Sequence, residues 1–239
     1  MIISFVNQKG GVGKTTTAIN LAASLKRKNY SMAFIDSDPQ GSAIQWHDVE
    51  NNKAFDIMHH PGPIEKDDIE ELGRDFDYVI IDAPPAIGEI AKSILEISDL
   101  VIIPLSPSSL DIWSCWGTLE MIEEARQINS NLEVKLLINR KVPGTRVGRE
   151  AREAMEVFEM DLFDTELCQR VAFVEAMTCG VSVMQYSPYS KAAEEVERFC
   201  EEVIAHQEYE ESIEPPWTQY ADPQPEEVGV PVWHNLHRE

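Results

Sequence analysis

The stretch Lys9-Gly10-Gly11-Val12-Gly13-Lys14-Thr15-Thr16 decides the fold of this chain. It follows the apolar run 2–6 and precedes a helical pattern that starts near Lys14. The glycines let consecutive backbone N–H groups point inward, and the N-terminus of the helix adds positive potential. Such a loop can hold phosphate groups. We therefore expect Lys14 to reach the β- and γ-phosphates of a nucleotide and Thr15 to offer its hydroxyl to Mg²⁺.

The first lysine of this loop, Lys9, makes the sequence motif more specific. The common pattern G-x-x-x-x-G-K-[ST] fails at Gln8, whereas Lys9 completes the pattern K-G-G-x-G-K-T-T. This pattern resembles the deviant Walker A motif of the ParA/MinD ATPases, and the resemblance covers roughly residues 1–206. It is strongest to short ParA proteins that begin at the first strand, including ParF-like partition ATPases and McdA ATPases. The resemblance implies that Lys9 crosses a dimer interface to the nucleotide of the other subunit.

Apolar runs alternate with helical patterns along the chain. The predicted strands cover residues 2–6, 33–36, 55–58, 78–81, 100–104 and 134–138, and the predicted helices cover 14–28, 42–49, 64–73, 87–97, 110–129 and 146–158. Apolar strands separated by helices indicate a parallel sheet covered on both faces. We predict an α/β fold with one P-loop NTPase domain over residues 1–206, built on a mostly parallel twisted sheet. Ligands are expected at the carboxyl ends of its strands.

Acidic segments follow two of these strands. They are Asp36-Ser37-Asp38-Pro39-Gln40 and Asp82-Ala83-Pro84-Pro85. Carboxylates beside a phosphate loop can deal with Mg²⁺ and water. The resemblance makes Asp38 of switch I the residue that orients or activates the attacking water, Asp36 a support of the magnesium shell, and Asp82 of switch II a ligand through water. The predicted metal ligands are Thr15, Asp36, Asp38 and Asp82. The alternatives are that Asp36 or Asp38 caps the following helix and that Asp82 is a solvated loop residue.

Two later segments complete the expected nucleotide site. The amide of Asn139 offers a donor and an acceptor and can match the edge of a base. The resemblance makes it the adenine contact, and it places the proline-rich segment 104–111 at the dimer interface near nucleotide. The alternative is that segment 104–111 is an ordinary connection between a strand and a helix. The predicted nucleotide contacts are Gly10, Gly11, Val12, Gly13, Lys14, Thr15, Thr16, Pro107, Asp111, Asn139 and Arg140.

The net charge of −22, from 20 basic and 42 acidic residues, argues against a general affinity for nucleic acid. Any DNA binding must come from a local patch. Residues 140–152 hold five basic residues against the single acid Glu150, a local charge of +4. Such a cluster suits phosphate contacts, although a solvated charged face is the alternative. The predicted DNA contacts are Lys141, Arg146, Arg149 and Arg152, with Arg170 and Lys191 added by a looser resemblance.

Residues 207–239 differ in character from the rest. They contain five prolines and eight acidic residues against one basic residue, and we predict an extended acidic tail. Its aromatic residues Trp217, Tyr220 and Trp233 either pack back on the domain or dock a partner.

The cysteines and the apolar runs indicate in which cellular compartment we expect the protein. The four cysteines lack C-x-x-C spacing, which argues against a zinc or iron–sulfur site and favours reduced thiols in the cytoplasm. No apolar stretch is long enough to cross a bilayer, and the N-terminus has the pattern of a core strand rather than a signal peptide. Because the chain starts at that strand, we expect no helix-turn-helix domain before it.

The resemblance implies a function as well as a fold. It implies slow hydrolysis of ATP with Mg²⁺, a homodimer that sandwiches ATP, non-specific DNA binding in the ATP state, and an adaptor protein that stimulates hydrolysis. The implied use is to position a plasmid, a chromosome or an organelle such as the carboxysome on the nucleoid, without a membrane.

Three alternatives differ in class from this function. A MinD-like membrane ATPase needs a basic amphipathic C-terminal helix, whereas this C-terminus is acidic. A metabolic P-loop enzyme of the same fold is the second alternative. Its reductase form lacks suitably placed cysteines, so a synthetase remains open. The third is a non-catalytic scaffold gated by nucleotide, which the intact Asp38 and Asp82 argue against.

Overall fold

Seven parallel strands form one sheet in the computed structural model, which describes residues 1–49, 54–86 and 88–213. The strands are β1 (Ile2–Phe5), β2 (Met32–Asp36), β3 (Met58–His59), β4 (Tyr78–Asp82), β5 (Leu100–Leu105), β6 (Glu133–Ile138) and β7 (Asp161–Leu162). They lie in the order β3-β2-β4-β1-β5-β6-β7, and each neighbouring pair is parallel. The predicted α/β class with a parallel sheet is confirmed.

Helices cover both faces of this sheet. They are α1 (Lys14–Arg27), α2 (Ser42–His47), α3 (Lys66–Asp75), α4 (Glu89–Ile97), α5 (Ser109–Ser114), α6 (Trp116–Arg126), α7 (Arg146–Arg149), α8 (Ala151–Met155), α9 (Val171–Thr178), α10 (Val183–Tyr186) and α11 (Lys191–Ile213). Alternate strand residues face opposite sides, so Ile80 packs in the core under α1 and α11, whereas Ile81 packs under α4 and α6. The central strands are apolar throughout because both of their faces are buried.

Three predicted elements are corrected by the structure. The third strand is Met58–His59 rather than 55–58, because Phe55 packs against Phe34 and Trp46 in the core. The predicted helix 110–129 is broken at Cys115, where the Ser114 hydroxyl donates to the Asp111 carbonyl, a bond that bends helices. The predicted helix 146–158 divides into α7, α8 and a short 3-10 turn, since Gly148 weakens its first part.

The C-terminal part of the fold was not predicted. No element was assigned beyond residue 158, yet β7 and helices α9 to α11 lie there. Helix α11 continues to Ile213, past the expected boundary at 206, because glutamine and glutamate favour helix and Pro215 follows only two residues later. The rest of the predicted tail, with Trp217, Tyr220 and Trp233, lies outside the described residues. Among the described helices, none combines the length and apolarity that a bilayer span requires.

The register of the sheet brings the predicted motifs to one edge. Phe5 and Asp36 are both paired with Asp82, so the loops that follow β1, β2 and β4 leave the sheet side by side. A parallel sheet thereby gathers residues from distant parts of the sequence at its carboxyl edge.

Candidate functional site

The glycine-rich loop runs from β1 to α1 and is anchored by Asn7. The Asn7 amide donates to the carbonyl oxygen of Pro104 at 2.9 Å and accepts from the backbone N–H of Lys9, also at 2.9 Å. The carbonyl oxygen of Asn7 accepts from Nζ of Lys14 at 3.0 Å. Asn7 is fully buried and was missed in the sequence, although a polar residue directly after an apolar strand is a usable signal.

Two glycines of the loop adopt a conformation that other residues avoid. Gly11 has φ of +79° and Gly13 has φ of +96°, both in the left-handed region. A Cβ atom on Gly13 would lie 2.4 Å from Nδ2 of Asn139, so the backbone has no room for a side chain there. Gly10 and Gly11 instead face open space, with no atom within 4 Å of an added Cβ. Backbone N–H groups at the crest of the loop are therefore accessible to an anion.

Thr15 and Asp82 form the pair that sequence predicted for a metal. The Thr15 hydroxyl donates to Oδ2 of Asp82 at 2.6 Å, while the buried Oδ1 has no hydrogen-bond partner among the described residues. Burial raises the pKa of Asp82 to about 7, against the opposing effect of the Thr15 hydrogen bond. Burial also lowers the pKa of Lys14, which Asp82 and Asp38 partly offset. A hydroxyl beside an unsatisfied carboxylate oxygen fits a divalent cation, and the nearby ammonium fits a phosphate.

The two carboxylates of switch I have different surroundings. Asp36 is fully buried, and its oxygens accept from the backbone N–H groups of Asp38, Ala43 and Ile44 at 3.1, 2.9 and 3.2 Å. These are the contacts of the capping alternative, and the metal-shell role of Asp36 stays a prediction. Asp38 is half-buried, lines the cleft beside the loop and accepts from the Gln40 N–H at 2.9 Å. That bond leaves its second oxygen available to water.

A cleft of about 710 Å³ opens beside the loop. Lys14, Thr15 and Asp38 line its polar end, and the segment 167–178 lines its other wall. Phe173 and Met177 of α9 make that wall apolar, which suits a flat base better than a phosphate. Sequence analysis missed this wall, although the apolar residues of α9 recur at helical spacing.

Asn139 and Arg140 both contact the loop. Nδ2 of Asn139 donates to the Val12 carbonyl at 2.7 Å, and its Oδ1 accepts from the Arg140 N–H at 2.8 Å. Arg140 has φ of +54° and donates to the Gly11 carbonyl at 2.6 Å. Both residues line the cleft, but the amide of Asn139 is engaged within the protein. Its contact with adenine stays a prediction.

Lys9 forms an ion pair with Asp111 of the same chain. Asp111 and Pro107 do not line the main cleft. They line a neighbouring cavity of about 470 Å³, to which Arg140 also contributes. Their predicted contact with nucleotide, like that of Lys9 with a partner's nucleotide, stays a prediction.

The predicted basic patch is largely neutralised in three dimensions. Lys141 pairs with Glu166, and Arg170 pairs with Glu195 through two hydrogen bonds. Arg152 donates to the carbonyl oxygens of residues 163 and 164 at 2.9 and 3.0 Å. The local charge of +4 was counted over residues 140–152 alone. Acidic residues from later in the chain, such as Glu166, reduce it in the folded protein. The predicted cations that remain exposed are Arg146, Arg149 and Lys191, of which Arg146 lies 2.8 Å from Glu150.

The raised pKa of Asp82 predicts how stability depends on pH. Unfolded Asp82 ionises above pH 3.8, whereas the folded group retains its proton until about pH 7, so ionisation costs stability across that window. We expect Asp82→Asn to gain stability relative to the parent between pH 4 and 7 and to hold that gain above pH 7. The gain is at most about 4 kcal/mol, because one pKa unit corresponds to about 1.4 kcal/mol. Urea unfolding without nucleotide and with EDTA measures it, and a gain that does not vary with pH contradicts it.

Known proteins are similar to this chain in sequence and in fold. Residues 3–183 match the family described as the CobQ/CobB/MinD/ParA nucleotide binding domain. The maintenance of carboxysome distribution protein A of Halothiobacillus neapolitanus is 31% identical over 209 residues, covering 84% of this chain and 95% of the relative. The chromosome-partitioning ATPase Soj of Thermus thermophilus is 29% identical over 236 residues, covering 85% of this chain and 95% of Soj.

A solved structure agrees with the fold. Cobyrinic acid a,c-diamide synthase from Mycobacterium smegmatis, with bound ADP and magnesium, superposes with a TM-score of 0.68 at 21% identity. The superposition covers 87% of this chain and 95% of the synthase. The family match and the relative that is 31% identical confirm the resemblance first drawn from the glycine-rich loop. The chain belongs to the CobQ/CobB/MinD/ParA nucleotide-binding family.

Proposed function

We propose that this protein is an ATP hydrolase that positions or segregates a cargo such as a plasmid, a chromosome or a protein organelle. The observation that carries the proposal is the convergence of Lys14, the Thr15–Asp82 pair and Asp38 at one end of the cleft. Its family and its relatives, one named for carboxysome distribution and one for chromosome partitioning, support a positioning ATPase. The ADP and magnesium bound by the structurally similar synthase support ATP and Mg²⁺ as ligands.

The chain's own residues would perform the reaction as follows. Loop N–H groups and Lys14 would bind the phosphates, and Thr15 and Asp82 would hold Mg²⁺. When bound, Mg²⁺ neutralises charge that develops on the phosphates. Asp38 orients a water molecule for attack on the γ-phosphate. We propose a slow intrinsic rate, because within one subunit the ammonium of Lys9 is paired with Asp111.

Dimerisation completes the proposed cycle. Lys9 of each subunit adds positive charge to the nucleotide of the other, so ATP closes a dimer and hydrolysis opens it. Two subunits present twice the exposed cations Arg146, Arg149 and Lys191, which favours non-specific DNA binding in the ATP state. An adaptor that stimulates hydrolysis then releases the protein from DNA, in the cytoplasm and on the nucleoid rather than on a membrane.

The Lys9→Ala variant tests the dimer. We expect its dimer dissociation constant with ATP to rise at least about 100-fold, because two charge-assisted contacts are lost per dimer at roughly 1.5–3 kcal/mol each. Binding of ATP to one subunit falls less than about tenfold, since Lys14 remains. Light scattering with Mg²⁺ and ATP measures mass, and a phosphate-release assay measures turnover. Lys66→Ala, at an exposed position on α3, is the matched control. A Lys9→Ala protein that dimerises like the parent contradicts the proposal.

A further inference from the structure

A histidine of the neighbouring strand contacts the turn of switch I. Nε2 of His59 lies 3.2 Å from the backbone carbonyl oxygen of Asp38. Because a carbonyl oxygen can only accept a hydrogen bond, Nε2 of His59 is the donor. We infer that His59 is a positioning residue for ATP hydrolysis, which acts by fixing the backbone of Asp38. The inference rests on the proposed function, in which the Asp38 carboxylate orients the attacking water.

The sheet brings His59 to this place. In the parallel pairing of β2 with β3, His59 lies opposite Asp36, so the two side chains leave the same face of the sheet. The backbone N–H of His60 donates to the Asp36 carbonyl at 2.9 Å and continues this pairing. Strand β2 ends at Asp36, two residues before Asp38. The imidazole of His59 therefore reaches the turn from a backbone that is tied to the strand before it.

The imidazole lies beside Gly41, at the end of the turn. A Cβ atom on Gly41 would lie 3.6 Å from Nε2 of His59, which is an ordinary van der Waals distance. The backbone N–H of Gly41 donates to the Asp38 carbonyl at 2.8 Å. One oxygen thus accepts both the hydrogen bond that closes the turn and the hydrogen bond from His59.

Both backbone polar groups of Asp38 are engaged as a result. Its N–H donates to Oδ1 of Asp36 at 3.1 Å, and its carbonyl accepts from Gly41 and His59. Among the described residues, Asp36 and His59 supply the side-chain hydrogen bonds to this backbone, and His59 is the exposed one of the two. Removing the His59 donor therefore loosens Asp38 while the buried anchor stays in place. Because phosphoryl transfer depends mainly on positioning, the expected cost is in the rate of hydrolysis rather than in affinity for ATP.

The first test compares three substitutions at His59. The amide nitrogen of glutamine can take the place of Nε2, that of asparagine takes the place of Nδ1, and leucine has no donor. We expect His59→Leu and His59→Asn to lower the rate constant of hydrolysis about three- to tenfold, as for the loss of one neutral hydrogen bond, and His59→Gln to stay within about twofold of the parent. Phosphate release at saturating ATP and Mg²⁺ measures the rate. Binding of a fluorescent ATP analogue should change less than about twofold in all three variants.

The controls separate this effect from a general disturbance of β3. Because the His59 side chain is exposed, we expect all three variants to fold, which urea unfolding checks. His60→Leu is the matched control, since the ring of His60 lies 3.0 Å from the Pro63 carbonyl, outside switch I, and this variant should hydrolyse ATP like the parent. Equal rates for His59→Gln and His59→Leu, or an equal loss in His60→Leu, overturn the inference.

The second test asks whether His59 acts through Asp38. Residues that act as a unit have non-additive effects, so His59→Leu combined with Asp38→Ala should lower turnover no further than Asp38→Ala alone. Phosphate release with protein in excess over ATP measures these slow rates. Losses that multiply in the double variant overturn the inference. Parental turnover of Asp38→Ala overturns the proposed role of Asp38 and the inference with it, whereas a loss in Asp38→Ala with parental turnover of His59→Leu overturns the inference alone.

Discussion

Lys14→Ala is expected to abolish nucleotide binding, with affinity for ATP lower by at least about 100-fold. The Lys14 ammonium lies at the start of α1 within 3.0 Å of the Asn7 carbonyl, buried beside the cleft. A charge-assisted contact with phosphate contributes roughly 1.5–3 kcal/mol, and a lysine that reaches two phosphates makes more than one such contact. Binding of a fluorescent ATP analogue with Mg²⁺ measures the effect.

Stability distinguishes this result from misfolding. Burial lowers the pKa of Lys14, so its ammonium costs free energy in the empty site, and removing it does not destabilise the fold by that route. We expect Lys14→Ala to unfold in urea within about 3 kcal/mol of the parent, because the Asn7 carbonyl loses its hydrogen bond from Nζ. Lys26→Ala, at the exposed end of the same helix, serves as the control and should bind nucleotide like the parent. Retained affinity in a folded Lys14→Ala protein contradicts the role of the loop.

The parts of the site that sequence predicted are those with local determinants. Glycines at fixed offsets and a lysine at the helix start describe the loop without reference to the rest of the chain. The Thr15–Asp82 pair was also predictable, because parallel strands bring their carboxyl ends to one edge. These residues depend on backbone geometry and strand order, and both can be read from the alternation of apolar runs and helices.

Contacts that depend on distant partners could not be predicted in the same way. Lys141 was assigned to a basic patch and Arg170 was added to the DNA contacts by resemblance, but Glu166 and Glu195 neutralise them from segments where no element had been assigned. The adenine contact of Asn139 stays a prediction, and what the sequence did not indicate is that its amide fills the gap left by Gly13. Charge pairing and close packing are decided in three dimensions, and a single sequence gives no signal for either.

Asp36 and Asp38 of switch I show what the sequence could predict and what it could not. Asp36 and Asp38 have the same side chain, and sequence analysis assigned both to the metal. The structure gives them different surroundings. The oxygens of Asp36 accept hydrogen bonds from three backbone N–H groups, whereas Asp38 faces the cleft. Asp36 thus holds the shape of the loop that presents Asp38. The roles of the two residues depend on which carboxylate is buried. The pattern of apolar and polar residues in a short loop does not determine this.

Asp38→Ala is expected to lower the rate of ATP hydrolysis at least about 100-fold while ATP binding is retained, because positioned proton acceptors contribute about 10²- to 10⁴-fold. Of the hydrogen bonds among the described residues, the variant loses the acceptor for the Gln40 N–H, and Asp36 still holds the loop. Since the dimer opens on hydrolysis in the proposed cycle, ATP should accumulate in a long-lived dimer. Phosphate release and light scattering over the same time course measure both effects.

The matched variant Asp38→Asn separates chemistry from loop structure. Its amide oxygen can still accept from the Gln40 N–H, but it cannot take a proton or carry charge. If Asp38 acts on water, Asn and Ala at this position lose turnover to a similar extent and both trap the dimer. If Asp38 only shapes the loop, Asp38→Asn should hydrolyse ATP like the parent. Turnover of Asp38→Ala at the parental rate would contradict any catalytic part for this carboxylate, and the half-buried residue would then be a cap of the turn before α2.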